Sequence, residues 1–150
     1  MLEITDLKRR FLKLMIQDGI NEIQLEELEK TLNIILPKDF KEIASFFSGG
    51  SLGIIDNYNF AKTCEGGNIV DETLRLREAI NLPANFIVLS EPPESLIVMD
   101  LKEKPSIIWC DANDVSNLEH KSFCNEPNVW EDYSEYFNEL LTDEEEDKLS

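Results

Sequence analysis

Glu94, Asp111, Asp114, Glu119 and Asp132 are the residues whose type and setting best suit a function, and the chemistry they offer is recognition of a basic surface. The chain carries 31 Asp and Glu against 14 Lys and Arg, for a formal net charge of -17. That excess is graded: the first 50 residues hold 9 acids and 7 bases, the next 50 hold 8 and 3, and the last 50 hold 14 and 4. Complementary charge speeds encounter while aromatic side chains supply contact energy, and Trp109, Trp130 and Tyr133 lie among these acids. The plain alternative is that the acids only solvate the chain. Direct binding to nucleic acid is excluded as a main role, because phosphate contact draws on clustered Lys and Arg.

Catalytic and metal-binding patterns fail one by one. A phosphate-cradling loop needs Gly-Lys-Ser/Thr after its first glycines, but Gly49–Gly53 continues into Ile54-Ile55. Asp111-Ala112-Asn113-Asp114-Val115-Ser116 begins like a calcium loop, yet Ser116 stands where the glycine belongs and Ser122 where the closing carboxylate belongs. Turn and capping chemistry is the better use of these residues. His120 is the only histidine, flanked by Glu119 and Lys121 with no accompanying nucleophile motif, so it reads as a solvated loop residue. Cys64, Cys110 and Cys124 are too few and too widely spaced for a disulfide framework or a metal pair, and read as buried free thiols. The sequence therefore predicts no enzyme, no cofactor and no metal site.

The elements that must position these residues follow from periodicity and punctuation. Thr5 is placed to cap a first helix with Leu7, Phe11, Leu14 and Met15 on its apolar face, ended by Gly19. Its Lys8, Arg9, Arg10 and Lys13 form the only basic cluster, read as the solvated side of a core helix. Asn21 with Gln24 makes a capping box before Leu25, Leu28 and Leu32. Pro37 opens a central helix in which Phe40, Ile43, Ala44 and Phe47 share a face, and Gly49-Gly50 stops it. A short strand at Ile54-Ile55, a break at Gly66-Gly67 and a helix from Asn68 to Ile80 come next.

The β-rich runs Phe86 to Leu89, Leu96 to Leu101 and Ser106 to Cys110 predict one sheet, with a hairpin across 101–105. Residues 111–126 read as a long, partly ordered connection. Trp130, Tyr133, Phe137, Leu140 and Leu141 predict a closing amphipathic helix. The like-charge run Asp143–Asp147 predicts a disordered acidic tail over 143–150, leaving 1–142 as one α+β domain. No stretch has the ~20 apolar residues needed to span a bilayer, and the acidic amino terminus is unlike a secretory signal, so a cytoplasmic protein without membrane contact is expected.

The apolar helix ending in Leu36-Pro37, then Asp39-Phe40-Lys41, Phe46-Phe47 and the Ser48-Gly49-Gly50 turn, resembles the signature of the SMI1/KNR4 (SUKH) family. Ile23, Leu25 and Leu28 before Leu36, and the later Leu82-Pro83 followed by two apolar strands, extend the likeness over most of the chain. Glu91-Pro92-Pro93-Glu94 and Glu126-Pro127-Asn128-Val129-Trp130 depart from it. The resemblance implies a single α+β domain with a largely antiparallel sheet packed by amino-terminal helices and a carboxy-terminal helix. It also implies a bacterial immunity protein that binds and neutralises a cognate basic toxin, often a nuclease, or alternatively a regulatory scaffold of the kind found in fungal cell-wall signalling.

Overall fold

The computed structural model describes residues 2–63 and 67–149. In order come α1 (Ile4–Leu14), α2 (Glu22–Leu32), α3 (Lys38–Ala44), the hairpin strands β1 (Gly50–Leu52) and β2 (Ile55–Asn57), and α4 (Ile69–Ile80). Then follow β3 (Phe86–Ser90), β4 (Ser95–Asp100), β5 (Ile107–Asp111), a 3-10 helix (Ala112–Asn117), β6 (Asn128–Trp130) and α5 (Tyr133–Leu149). The expectations for Cys64 and Gly66 lie outside the described residues.

Helix starts are set by local chemistry. Asn21 Oδ1 accepts from the Gln24 N–H at 2.8 Å while Gln24 Oε1 accepts from the Asn21 N–H at 3.0 Å, closing the capping box. Asn68 Oδ1 accepts from the Asp71 N–H at 2.9 Å and opens α4 in the same manner. Thr5 does not cap α1, which begins one residue earlier after Glu3, without a side-chain cap. Gly19 does not end α1 either, since that helix stops at Leu14. Its role is close approach: an added Cβ would stand 2.1 Å from the Ser45 carbonyl carbon, where the Ile20 N–H donates to Ala44 O.

Strands β3-β4-β5-β6 form one antiparallel sheet in that order. Both faces are covered, which is why β3 and β4 are nearly continuous apolar runs instead of alternating ones. Ile87, Leu89, Ile97, Met99 and Ile107 face the main core with α1, α2, α3 and α5. Phe86, Val88, Leu96, Val98, Ile108 and Cys110 face a second core with Leu76, Leu82 and Leu118. At the centre of the main core, Phe47 meets Phe137, Phe11 and Phe60 at ring-centroid distances of 5.2, 5.5 and 5.5 Å. Phe40, Ile43, Ala44 and Phe47 are all entirely inaccessible, but α3 ends at Ala44, so Phe47 follows the helix instead of lying on it and Gly49-Gly50 does not stop it.

Two stretches are more ordered than their composition suggests. Residues 111–126 fold through the 3-10 helix, and β6 then adds a fourth strand. The run from Asp143, expected as a disordered tail, continues α5 to Leu149. The reason is tertiary. Arg10 on α1 donates to Glu145 Oε1 at 2.6 Å and Oε2 at 3.0 Å, to Asn138 Oδ1 at 2.6 Å and to Thr142 Oγ1 at 3.2 Å. The Gly53 N–H at the β1–β2 turn donates to Glu144 Oε1 at 3.0 Å. So the one basic cluster of the sequence reaches the acidic end of the chain through Arg10.

Deleting residues 143–150 should therefore cost about 1 to 2 kcal/mol and lower the thermal midpoint by roughly 3 to 8 °C. Arg10→Ala should reproduce most of that loss in a circular-dichroism melt, and an unchanged midpoint in both variants would mean the docking contributes nothing. Among the described residues, no helix is long and apolar enough to cross a membrane.

Candidate acidic cleft

The loop before β4, the end of β5 and the approach to β6 enclose an open cleft of about 340 Å³. Its wall includes Glu94, Trp109, Asp111, Asn125, Glu126 and Pro127, with no lysine or arginine among the lining residues. Pairing of Ser95 with Asp111 across β4 and β5 fixes the two sides, and the Ala112 N–H donates to Glu94 O at 2.9 Å. Glu94 takes a left-handed backbone with φ 57° at the turn into β4. Trp109 donates its indole N–H to Ser95 Oγ at 2.8 Å and remains half-buried against the cleft.

The sequence-predicted acids divide into two groups. Glu94, Asp111 and Glu119 are exposed, and the first two meet in the cleft. Glu119 lies past the 3-10 helix and is not among the lining residues. Asp114 and Asp132 are corrected: both are buried, with carboxylates directed at internal donors and away from the surface. Asp114 is shut off from solvent by a shallow cover of chain. It accepts from the Cys124 N–H at 2.7 Å, the Asn125 N–H at 3.0 Å and the Asn117 side-chain amide at 3.0 Å. It thereby folds the 111–126 connection around itself. Asp132 accepts from Ser134 Oγ at 2.6 Å and from the Glu135 N–H at 3.0 Å, capping the start of α5.

Sequence reasoning missed Asn125 and Glu126. Asn125 donates its side-chain amide to Asp111 Oδ2 at 2.8 Å, holding that carboxylate at the cleft rim, and Glu126 adds a third acid. The only signal was an asparagine-rich stretch facing two aspartates. Of the aromatic candidates, Trp109 lines the cleft. Trp130 packs edge-on against Tyr136 at 5.1 Å, and Tyr133 is core. Glu91 differs from Glu94 although it is only three residues away, because the Tyr58 hydroxyl and Arg75 both donate to it.

Cys110 borders the cleft, but burial and then the nearby Asp114 and Asp111 charges push its thiol up to about 11. A protonated thiol is not a nucleophile near neutral pH. Cys124 is exposed, contrary to expectation, whereas His120 is exposed as a solvated loop residue should be. Among the described residues no group of three His, Cys, Asp or Glu is arranged to hold a metal ion. The arrangement can attract and seat cationic groups beside an aromatic edge.

The buried carboxylates set a pH dependence. Backbone N–H bonds from Cys124 and Asn125 hold the Asp114 carboxyl below its usual value. Burial pulls Asp132 up, but the Ser134 hydroxyl and the Glu135 N–H outweigh it, and the net shift is down. A depressed folded pKa contributes stability that is full above the unfolded value of about 3.9 and is lost as pH falls through the folded value. Relief of the chain's acidic self-repulsion acts in the opposite direction as pH drops from 7. Denaturation midpoints should therefore rise slightly from pH 7 to about pH 5 and fall steeply below about pH 4, and Asp114→Asn should flatten the acid limb. A steep limb unchanged in that variant would assign the acid loss to other groups.

The SUKH_5 family model, described as SMI1-KNR4 cell-wall, matches residues 3–142. No curated protein matches the chain.

Proposed function

As this chain belongs to the SMI1-KNR4 family, we propose that it is a non-catalytic binding protein whose acidic cleft receives a basic surface of a cognate toxin and so neutralises it. One observation carries the reading. Glu94, Asp111 and Glu126 gather around the half-buried Trp109, and among the described residues no lysine or arginine lines the cleft with them. Uncompensated like charges cost repulsion in the free protein, and a basic partner relieves it on binding. The indole edge supplies the apolar contact that charge alone lacks. A nuclease suits the role, since its substrate-binding cleft is itself basic. In that role the protein acts in the cytoplasm of the cell it protects.

The test uses the toxic domain encoded by the adjacent open reading frame, in stopped-flow association. Raising salt from about 50 to about 500 mM should slow association at least roughly tenfold, with a smaller change in dissociation. Glu94→Lys with Asp111→Lys should slow association comparably at low salt and reduce protection in cells, while leaving the melting curve near that of the parent. Salt-independent rates, or full protection by the reversed variant, would reduce these acids to solubilising groups. A neighbouring frame that encodes no toxin would favour the regulatory-scaffold reading.

A further inference from the structure

The acidic cleft lies at the Ser95 end of β4. At the Asp100 end a second open cavity, of about 380 Å³, is bounded by the α2–α3 loop, the β4–β5 hairpin and the start of α5. Ile35, Leu36, Met99 and Leu101 give it apolar walls. Tyr133, Ser106 and Asp132 line it too, although they are only 1, 9 and 7% exposed.

These three side chains carry polar atoms that the fold does not satisfy. Among the described residues, nothing bonds to the Tyr133 hydroxyl or to Ser106 Oγ. Asp132 Oδ1 takes both bonds that this carboxylate accepts, from Ser134 Oγ and the Glu135 N–H, which leaves Oδ2 with none. The one sealed side-chain polar atom without a partner among the described residues is Arg77 Nε. The three free atoms are therefore open to water, and on side chains so deeply buried the cavity they share is their opening. Folded chains pair nearly all their buried polar groups, so a cluster of unpaired ones at an apolar-walled cavity is the pattern of a ligand site.

The free atoms also select the ligand's chemistry. Burial raises the Asp132 pKa less than its Ser134 and Glu135 bonds lower it, so the carboxylate stays ionised, and a charged donor answers it best. The other two carboxylates of the wall are engaged: Asp39 by the Phe40 and Ser134 N–H groups, Asp100 by Lys121 at 2.7 Å. Burial, with Tyr136 and Asp39 nearby, holds the Tyr133 phenol well above its ordinary pKa, so that hydroxyl keeps a proton to donate. Lys102 and Lys104 are exposed at the rim and pair with no described residue, while Glu103 between them faces Lys121 at 3.9 Å. Two such lysines repel a simple cation and favour a ligand with an oxygen at its outer end.

We propose that this cavity binds a primary ammonium group with a neighbouring carbonyl or carboxylate oxygen and an apolar side chain, as carried by a free amino acid or by the amino terminus of a peptide. The ammonium donates to Asp132 Oδ2 and Ser106 Oγ, the oxygen accepts from Tyr133 and faces the lysines, and the side chain lies against the apolar wall. The toxin reading stands or falls separately, since the cavity and the acidic cleft share no residue.

The probes are L-leucine, L-leucinamide and the tripeptide Leu-Gly-Gly, titrated into the isotope-labelled full chain beside N-acetyl-leucinamide, which lacks the ammonium. The three amines should shift the amide signals of Leu101, Ser106 and Tyr133 and leave those of Glu94 and Asp111 in place. Acetylation should weaken binding at least roughly tenfold. Tyr133→Phe keeps the ring and removes only the hydroxyl, so the amines should bind about fivefold more weakly with the melting curve little changed. Ser106→Ala makes the same comparison at a second hydroxyl and decides if the first variant does not fold. Leucine binding more tightly than the two carbonyl compounds identifies the free amino acid as the ligand, and a tripeptide that matches or exceeds it identifies a peptide amino terminus. Equal binding of the acetylated compound, parent-like affinity in the hydroxyl variants, or shifts confined to other parts of the chain would each overturn the site. So would the absence of saturable binding below about 10 mM.

Discussion

Asp114→Lys should lower the thermal midpoint by roughly 10 °C or more, whereas Asp111→Lys, three residues earlier, should shift it by no more than a degree or two. The lysine at 114 would replace an inaccessible acceptor of three hydrogen bonds with a cation, and take from the Cys124 and Asn125 N–H groups the carboxylate that holds the connection together. At 111 the carboxylate is exposed and only the Asn125 side chain depends on it. The pair of variants separates two roles that charge counting merges. Any association experiment that reversed both aspartates together would mistake an unfolded 111–126 segment for a lost contact. Thermal melts of the single variants decide the matter, and equal midpoints would refute the structural role of Asp114.

Phe47→Ala should cost about 3 to 5 kcal/mol, the range seen when a large aromatic is truncated in a core that cannot collapse around the gap. Phe47 is wholly inaccessible and touches rings from three other parts of the chain: Phe11 on α1, Phe60 after β2 and Phe137 on α5. Neighbours fixed on separate elements cannot all move inward, so the cavity persists. Urea unfolding of the variant measures the loss, and a change under about 1 kcal/mol would show that the aromatic cluster repacks. Phe46→Ala makes an internal comparison, since Phe46 meets Phe11 and Phe137 at 5.8 Å each and is not wholly buried. It should cost less.

What the amino-acid sequence determined by itself is whatever short-range chemistry decides. The Asn21–Gln24 capping box, the Asn68 cap, the apolar face of α3 and the positive φ at Gly49 and Gly50 each depend on residues within a few positions, and each is found in the structure. The three strand runs and their antiparallel pairing were legible too, because continuous apolar stretches bounded by turn residues have few other uses. The family signature from Leu36 to Gly53 is of the same local kind.

Tertiary structure alone decided the rest, wherever a group's partner is far along the chain. The acidic run after Leu141 repels itself in isolation, and becomes helix because Arg10, 135 residues from Glu145, reaches it. Gly19 looks like a helix stop and is instead the one residue type that lets α3's end pass against the backbone. Glu91 and Glu94, or Asp111 and Asp114, are indistinguishable by type and nearly by position. The folded chain ties Glu91 to Tyr58 and Arg75 at the surface and encloses Asp114 among main-chain donors, and leaves Glu94 and Asp111 exposed at the cleft. A carboxylate's role depends on whether donors or water surround it, and that is a property of the packed chain in three dimensions.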